Sequence, residues 1–173
     1  MEIKRDVYLN RLIAREGNGF IKVITGIRRC GKSYLMNNIF YNHLLSNGIN
    51  ESNIIKFAFD SAEDLMQIDE DIIEISEQNR KVDPKKFMKY IAEKIDNGQK
   101  YYLLLDEVQL LGSFEAVLNG YMRKDNLDIY VTGSNSKFLS SDILTEFEGR
   151  GDEIHILPLS FSEFYSAYDG SKD

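Results

Sequence analysis

Apolar residues recur along this chain in two alternating rhythms, and the alternation itself predicts a fold. Short β-branched or continuous apolar runs, FIKVIT (Phe20 to Thr25), IIKFAF (Ile54 to Phe59), YYLLLDE (Tyr101 to Glu107), DIYVTGS (Asp128 to Ser134) and EIHILP (Glu153 to Pro158), have the length and composition of strands. Between the first two, SYLMNNIFYNHLL sets Leu35, Met36, Ile39, Phe40 and Leu44 at helical spacing, and Asn47-Gly48 stops the pattern. DPKKFMKYIAEKIDNG carries its own punctuation: Asp83 as N-cap, Pro84 at the first helical position, a Phe87/Ile91/Ile95 stripe, and Gly98 beyond the end. A further helix is predicted near Phe114 to Met122. YYLLLDE is apolar on both pleat faces, as a strand covered by helices on both sides must be. Five strands with helices between them predict a three-layer α/β/α domain on an open, mainly parallel sheet.

Composition supports this picture without changing it. The chain has 173 residues, 43% hydrophobic and 12% aromatic, enough for one domain with a real core. No apolar run approaches the roughly 18 residues of a membrane span, so a soluble, cytoplasmic protein is expected. The single cysteine, Cys30, excludes an internal disulfide framework and a Cys-rich metal site. A net charge of -7 argues against a general nucleic-acid surface; DNA is not indicated as a partner, although a local basic patch stays open. Much of the negative charge lies in Asp60 to Gln78, which reads as a solvated helix or loop face.

One loop carries a specific chemistry. GIRRCGKS matches G-x-x-x-x-G-K-[ST] with Gly26, Gly31, Lys32 and Ser33, and it lies between a predicted strand and a predicted helix. The glycines let the backbone curl so that successive N–H groups point inward, and Lys32 can reach terminal phosphates. Ser33 can ligate Mg²⁺ while the helix behind it turns its positive end to the anion. The candidate nucleotide-binding set is therefore Gly26, Ile27, Arg28, Arg29, Cys30, Gly31, Lys32, Ser33 and Tyr34. Cys30 reads as a small loop residue, with a reactive thiol the alternative.

Asp106 and Glu107 end the third strand. In a phosphate-loop enzyme the first is expected to hold the Mg²⁺ shell, with Ser33, and the second to orient and deprotonate the attacking water. Gln109 is expected to cap the turn, with γ-phosphate sensing as its alternative. VTGSNS runs into polar residues at the carboxyl end of a strand, where ligands sit in open α/β sheets. Ser134 or Asn135 is thus a candidate partner for the γ-phosphate or the water. No N-K-x-D element for guanine is present, so ATP is the expected nucleotide, and the carboxylate pair suits hydrolysis better than a small-molecule kinase. A nucleotide-controlled binding module with little or no turnover is the alternative.

ITGIRRCGKSYLM, LLLDEVQ, VTGSNSKFL and GRGDEIHILPLSFSEF, in that order, resemble the AAA-type ATPase domain of bacterial and archaeal proteins that usually carry a C-terminal domain of unknown function. The resemblance runs from about Lys4 to Phe164. It implies a sheet in the order 5-1-4-3-2 and ATP with Mg²⁺ as ligand. It also implies the roles given above for Lys32, Ser33, Asp106 and Glu107, and places Ser134 at a sensor position. Arg150 then lies where such proteins place a phosphate-sensing arginine, acting within a subunit or on a neighbour; Gly149 and Gly151 leave its guanidinium free to project, and pairing with Glu148 or Asp152 is the alternative. A single ATP-binding domain over 1–173, with a core of about 18–160, a C-terminal effector domain or protein partner beyond it, and a homo-oligomer all follow as expectations of that resemblance.

Overall fold

The computed structural model describes residues 3–96, 98–134, 142–147 and 149–167. All five predicted strands form, each within three residues of its expected ends: β1 (Ile21–Thr25), β2 (Ile54–Ala58), β3 (Tyr101–Asp106), β4 (Leu127–Thr132) and β5 (Gly151–His155). They make one parallel sheet in the order β2-β3-β4-β1-β5, which is the expected order read from the other edge. Helices cover both faces: α1 (Asp6–Ile13), α2 (32–46), α3 (Ala62–Met66), α4 (Ile72–Glu77), α5 (Pro84–Lys94), α6 (Phe114–Met122), α7 (Asp142–Glu146) and α8 (Phe161–Ala167). Within α2 a π-helical stretch, Leu35–Phe40, directly follows the first turn, Lys32–Tyr34. No helix among the described residues is long and apolar enough to cross a membrane.

The pleat sorts the strands onto two cores. Tyr101, Leu103 and Leu105 of β3 pack with Ile129 and Val131 of β4, Phe57 of β2, and Phe87 and Ile91 of α5. Tyr102, Leu104 and Tyr130 face the other way, against Leu35, Met36 and Phe40 of α2 and Leu12 of α1. Side chains alternate along a strand, so Asp106 and Thr132 fall on the α2 face, beside the helix that leaves the glycine-rich loop. The predicted cap of α5 forms, with the Asp83 carboxylate accepting from the Lys85 amide 2.8 Å away; the helix ends at Lys94, before Gly98 is reached.

The reading of Asp60 to Gln78 as a solvated face needs one correction. Ser61 and Asp71 cap the short helices α3 and α4, whose charged faces are largely exposed, but Glu70 between them is buried, 4% exposed. Its carboxylate accepts from Arg80 at 2.6 Å and lies 3.5 Å from Lys86, because α5 and the turn at Arg80 close over it.

Candidate functional site

The loops that leave β1, β3 and β4 do so on the same side of the sheet, because the strands are parallel and the loops leave from their carboxyl ends. The loop after β1 is tightly constrained. Gly26 has φ +148, and a Cβ there would lie 2.5 Å from the Ile156 carbonyl oxygen and 2.7 Å from Cys30 Sγ. Gly31, at φ +96, precedes the first turn of α2. Arg29 is also left-handed, at φ +66. The curl leaves the amides of Ile27, Arg28, Arg29 and Gly31 without a hydrogen-bond acceptor among the described residues. Such a run of free N–H groups, continued by the unpaired amides of a helix's first turn, is an anion cradle. Ile27, Arg28, Arg29, Ser33 and Tyr34 are exposed, while Cys30 is buried. Lys32 is folded back: its Nζ donates to the carbonyls of Gly26 (3.0 Å) and Ile27 (3.1 Å).

Asp106 and Glu107 have separate partners, as side chains on a pleat predict. Asp106, 6% exposed, accepts from the Thr132 hydroxyl through Oδ1 and from Asn37 Nδ2 at 3.3 Å through Oδ2. Asn37 lies one helical turn after Ser33, so the Asp106 carboxylate reaches the part of α2 that carries Ser33. Glu107 leaves the strand in the left-handed region, φ 54, with its amide donating to Thr132 Oγ1 at 3.2 Å. Its Oε2 accepts both from Gln109 Nε2 and from Ser134 Oγ, the latter at 2.7 Å. Two buried acceptors beside these carboxylates, Asn37 Oδ1 and Gln109 Oε1, have no partner among the described residues.

Asp60 joins this group from the end of β2. Desolvation, then the charges of Asp106 and Glu107, push its carboxyl above the ordinary range. The sequence reading missed Asp60, Asn37 and Thr132. Asp60 had a signal, since it follows the second strand as Glu107 follows the third; Thr132 lies within VTGSNS, where the sequence reading points to Ser134 and Asn135 instead, and Asn37 is one of two adjacent polar residues in a helical pattern. Ser134 meets Glu107, and Gln109 does more than cap its turn. Asn135 lies outside the described residues.

Arg150 is elsewhere. Its carbonyl accepts from the Ile21 amide at 2.9 Å, at the amino end of β1, and the residue is exposed. Five residues of strand, on the order of 16 Å, separate it from the loop of its own chain. Asp152, offered above as its partner, instead accepts from Arg15 at 2.8 Å and Asn18 at 2.9 Å; Glu148 lies outside the described residues.

A cavity of about 560 Å³ opens between the start of the chain and α2, lined by Ile3, Lys4, Leu9, Tyr34, Asn38 and His43 among others.

Comparison with known proteins agrees with this geometry. A family model described as an AAA domain matches residues 18–165. An uncharacterized protein of Haemophilus influenzae is 37% identical over 166 residues, and one of Methanocaldococcus jannaschii is 30% identical over 166. These matches cover 95% and 94% of this chain but only 38% and 31% of the relatives, so the chain spans about a third of their length. Among solved structures, a DNA replication initiation factor superposes with a TM-score of 0.53 at 18% identity, covering 91% of this chain and 46% of that one. PCH-2 of C. elegans does so with a TM-score of 0.53 at 21% identity, covering 86% and 38%. With its parallel sheet, its glycine-lysine-serine loop and a family match over most of its length, the chain belongs to the AAA domain family and is an ATP-binding AAA domain.

Proposed function

We propose that this domain hydrolyses Mg-ATP to ADP and phosphate, and that turnover drives or switches an effector domain or protein partner. One observation carries the reading: a loop with unpaired amides and a glutamate held by two donors converge at the carboxyl ends of β1, β3 and β4. The loop amides and the first turn of α2 receive the phosphates, and Lys32 exchanges two backbone carbonyls for phosphate oxygens. The residues present fit a metal ion: Ser33 and Asp106 would hold Mg²⁺, which supplies charge neutralisation at the phosphates. Glu107 takes the proton of the attacking water on its carboxylate, and Ser134 orients that carboxylate. Asn135 is the second sensor candidate. Tyr34 and the cavity beside it receive the base.

The alternative, a nucleotide-controlled module with slow turnover, is favoured by the resting contacts. Lys32 is bound to the loop itself, and Glu107 Oε2 is already engaged by Gln109 and Ser134. Multiple-turnover phosphate release separates the two, because a switch predicts little beyond one turnover.

The direct test uses two substitutions. Lys32→Ala removes the cation facing the phosphates and abolishes ATP binding in calorimetry without unfolding the domain. Glu107→Gln keeps ATP binding while hydrolysis falls by roughly 10²- to 10⁴-fold. Unchanged affinity in the first variant sinks the phosphate-loop assignment; wild-type turnover in the second means another residue handles the water.

A further inference from the structure

Arg5 belongs to none of the motifs above, yet it is among the most buried side chains, 2% exposed. Its guanidinium reaches three acceptors far apart in sequence. Nη1 donates to the Cys30 carbonyl inside the phosphate loop at 2.7 Å, Nη2 to the Leu157 carbonyl after β5 at 2.6 Å, and Nε to Glu163 Oε1 on α8 at 3.2 Å. The group also lies 4.5 Å from the centroid of the Tyr8 ring, whose hydroxyl accepts from the Leu157 amide at 3.2 Å.

Burying a guanidinium costs several kcal/mol, and an apolar side chain would fill the same space without that cost. What arginine adds is direction, since its planar fork fixes several acceptors in one geometry. The consequence for the loop follows from peptide planarity. In a trans peptide the C=O and the N–H point in opposite directions, so holding the Cys30 oxygen toward Arg5 turns the Gly31 N–H away from it. Gly31 N–H is one of the unpaired donors of the cradle. The space beside it is also shared: a Cβ on Gly31 would lie 3.4 Å from Arg5 Nη1. The same fork grips residues 157–163, a stretch that presents Leu157, Leu159 and Phe161 to solvent.

We propose that Arg5 is a positioning residue that couples occupancy of the phosphate loop to the placement of the segment from Leu157 to α8. The coupling rests on nucleotide binding as read above. An anion drawing on the Gly31 amide favours the peptide orientation that Arg5 enforces, and by linkage whatever stabilises the 157–163 grip raises affinity at the loop. Nucleotide state is then reported on the exposed apolar residues of that segment.

Hydrogen–deuterium exchange of the 173-residue chain, with and without Mg-ADP, tests this alongside calorimetric affinity. In the wild type, Mg-ADP slows exchange both in the loop and in residues 157–167. Arg5→Lys keeps the charge but cannot span all three acceptors; it retains loop protection, loses protection of 157–167, and weakens affinity by roughly fivefold or more. Glu163→Gln keeps the α8 cap, in which the Ser160 hydroxyl accepts from the amide of residue 163, while removing the ionic contact, and shifts both readouts in the same direction to a smaller extent, so the test stands even if changes at Arg5 impair folding. Loop protection in the wild type without protection of 157–167 overturns the coupling, and so does full retention of that protection in both variants. No protection anywhere in the wild type, with no measurable binding, overturns the nucleotide-binding reading instead.

Discussion

At Glu107 the chain adopts a left-handed conformation that a side chain of that length seldom takes, at a cost of order 1–3 kcal/mol. Thr132, Gln109 and Ser134 hold it there by three hydrogen bonds, which aim the carboxylate across the strand ends. Glu70 is a second residue whose surroundings decide its behaviour. Burial alone raises its carboxyl; the hydrogen bond and charge of Arg80 and the charge of Lys86 outweigh that, and the group ends below the ordinary 4.5. A carboxylate depressed in the folded state stabilises it above the unfolded value and loses that contribution as pH falls through the folded one. Wild type is therefore more stable than Glu70→Gln at neutral pH, and the gap in urea midpoints closes as pH falls through and below the ordinary carboxylate range. A gap independent of pH would mean that the ion pairs at Glu70 contribute nothing. The composition of Asp60 to Gln78 showed only a run of acids, because pairing with Arg80 and Lys86 depends on how α5 closes over the turn.

Among the elements, β1 holds the clearest conflict between pattern and packing. Lys22 interrupts an apolar strand and is fully buried, paired with Asp128 on β4; Gly17 N–H and the Tyr130 hydroxyl also donate to that carboxylate. Desolvation lowers the Lys22 amine from its ordinary value, and the Asp128 charge opposes this. A polar residue in a strand pattern ordinarily marks a solvent face; here α1 and the turn behind it cover that face. Lys22→Met leaves the Asp128 charge without its main partner and costs about 3–5 kcal/mol in chemical denaturation. Lys22→Met combined with Asp128→Leu recovers much of that loss, since the uncompensated charge is gone. A double variant no more stable than the single one would assign the cost to lost packing.

For the whole molecule, Arg150 poses the question of assembly. It stands at the amino end of the sheet and the phosphate loop at the carboxyl end, so an action on ATP requires a neighbouring subunit. A transferring phosphoryl group spreads charge over its equatorial oxygens, and an arginine that reaches it contributes roughly 10³- to 10⁵-fold in rate. If Arg150 acts in this way, Arg150→Ala is expected to bind ATP and hydrolyse it poorly. Mixing it with Glu107→Gln is then expected to restore activity, because some interfaces would pair an intact loop with an intact arginine. No recovery despite demonstrated subunit exchange rules out action between subunits, and wild-type turnover in Arg150→Ala alone removes the residue from the chemistry.

The sequence by itself determined the alternation of strands and helices, the cap of α5, the strand-loop-helix around Lys32, and the placing of Asp106, Glu107 and Ser134 at strand ends. Each of these depends on periodicity or spacing over fewer than about twenty residues, which local physics enforces. Only the tertiary structure decided which polar groups meet across the chain. Arg5 reaches the loop, Leu157 and Glu163 across 25, 152 and 158 residues, and Lys22 meets Asp128 across 106. Thr132 bonds both the Asp106 carboxylate and the Glu107 amide only because β3 and β4 pair in one register, Leu105 beside Val131. Burial converts such residues from solvated charges into directional partners, and burial is a property of the packed sheet and its helices, which no single stretch of sequence carries.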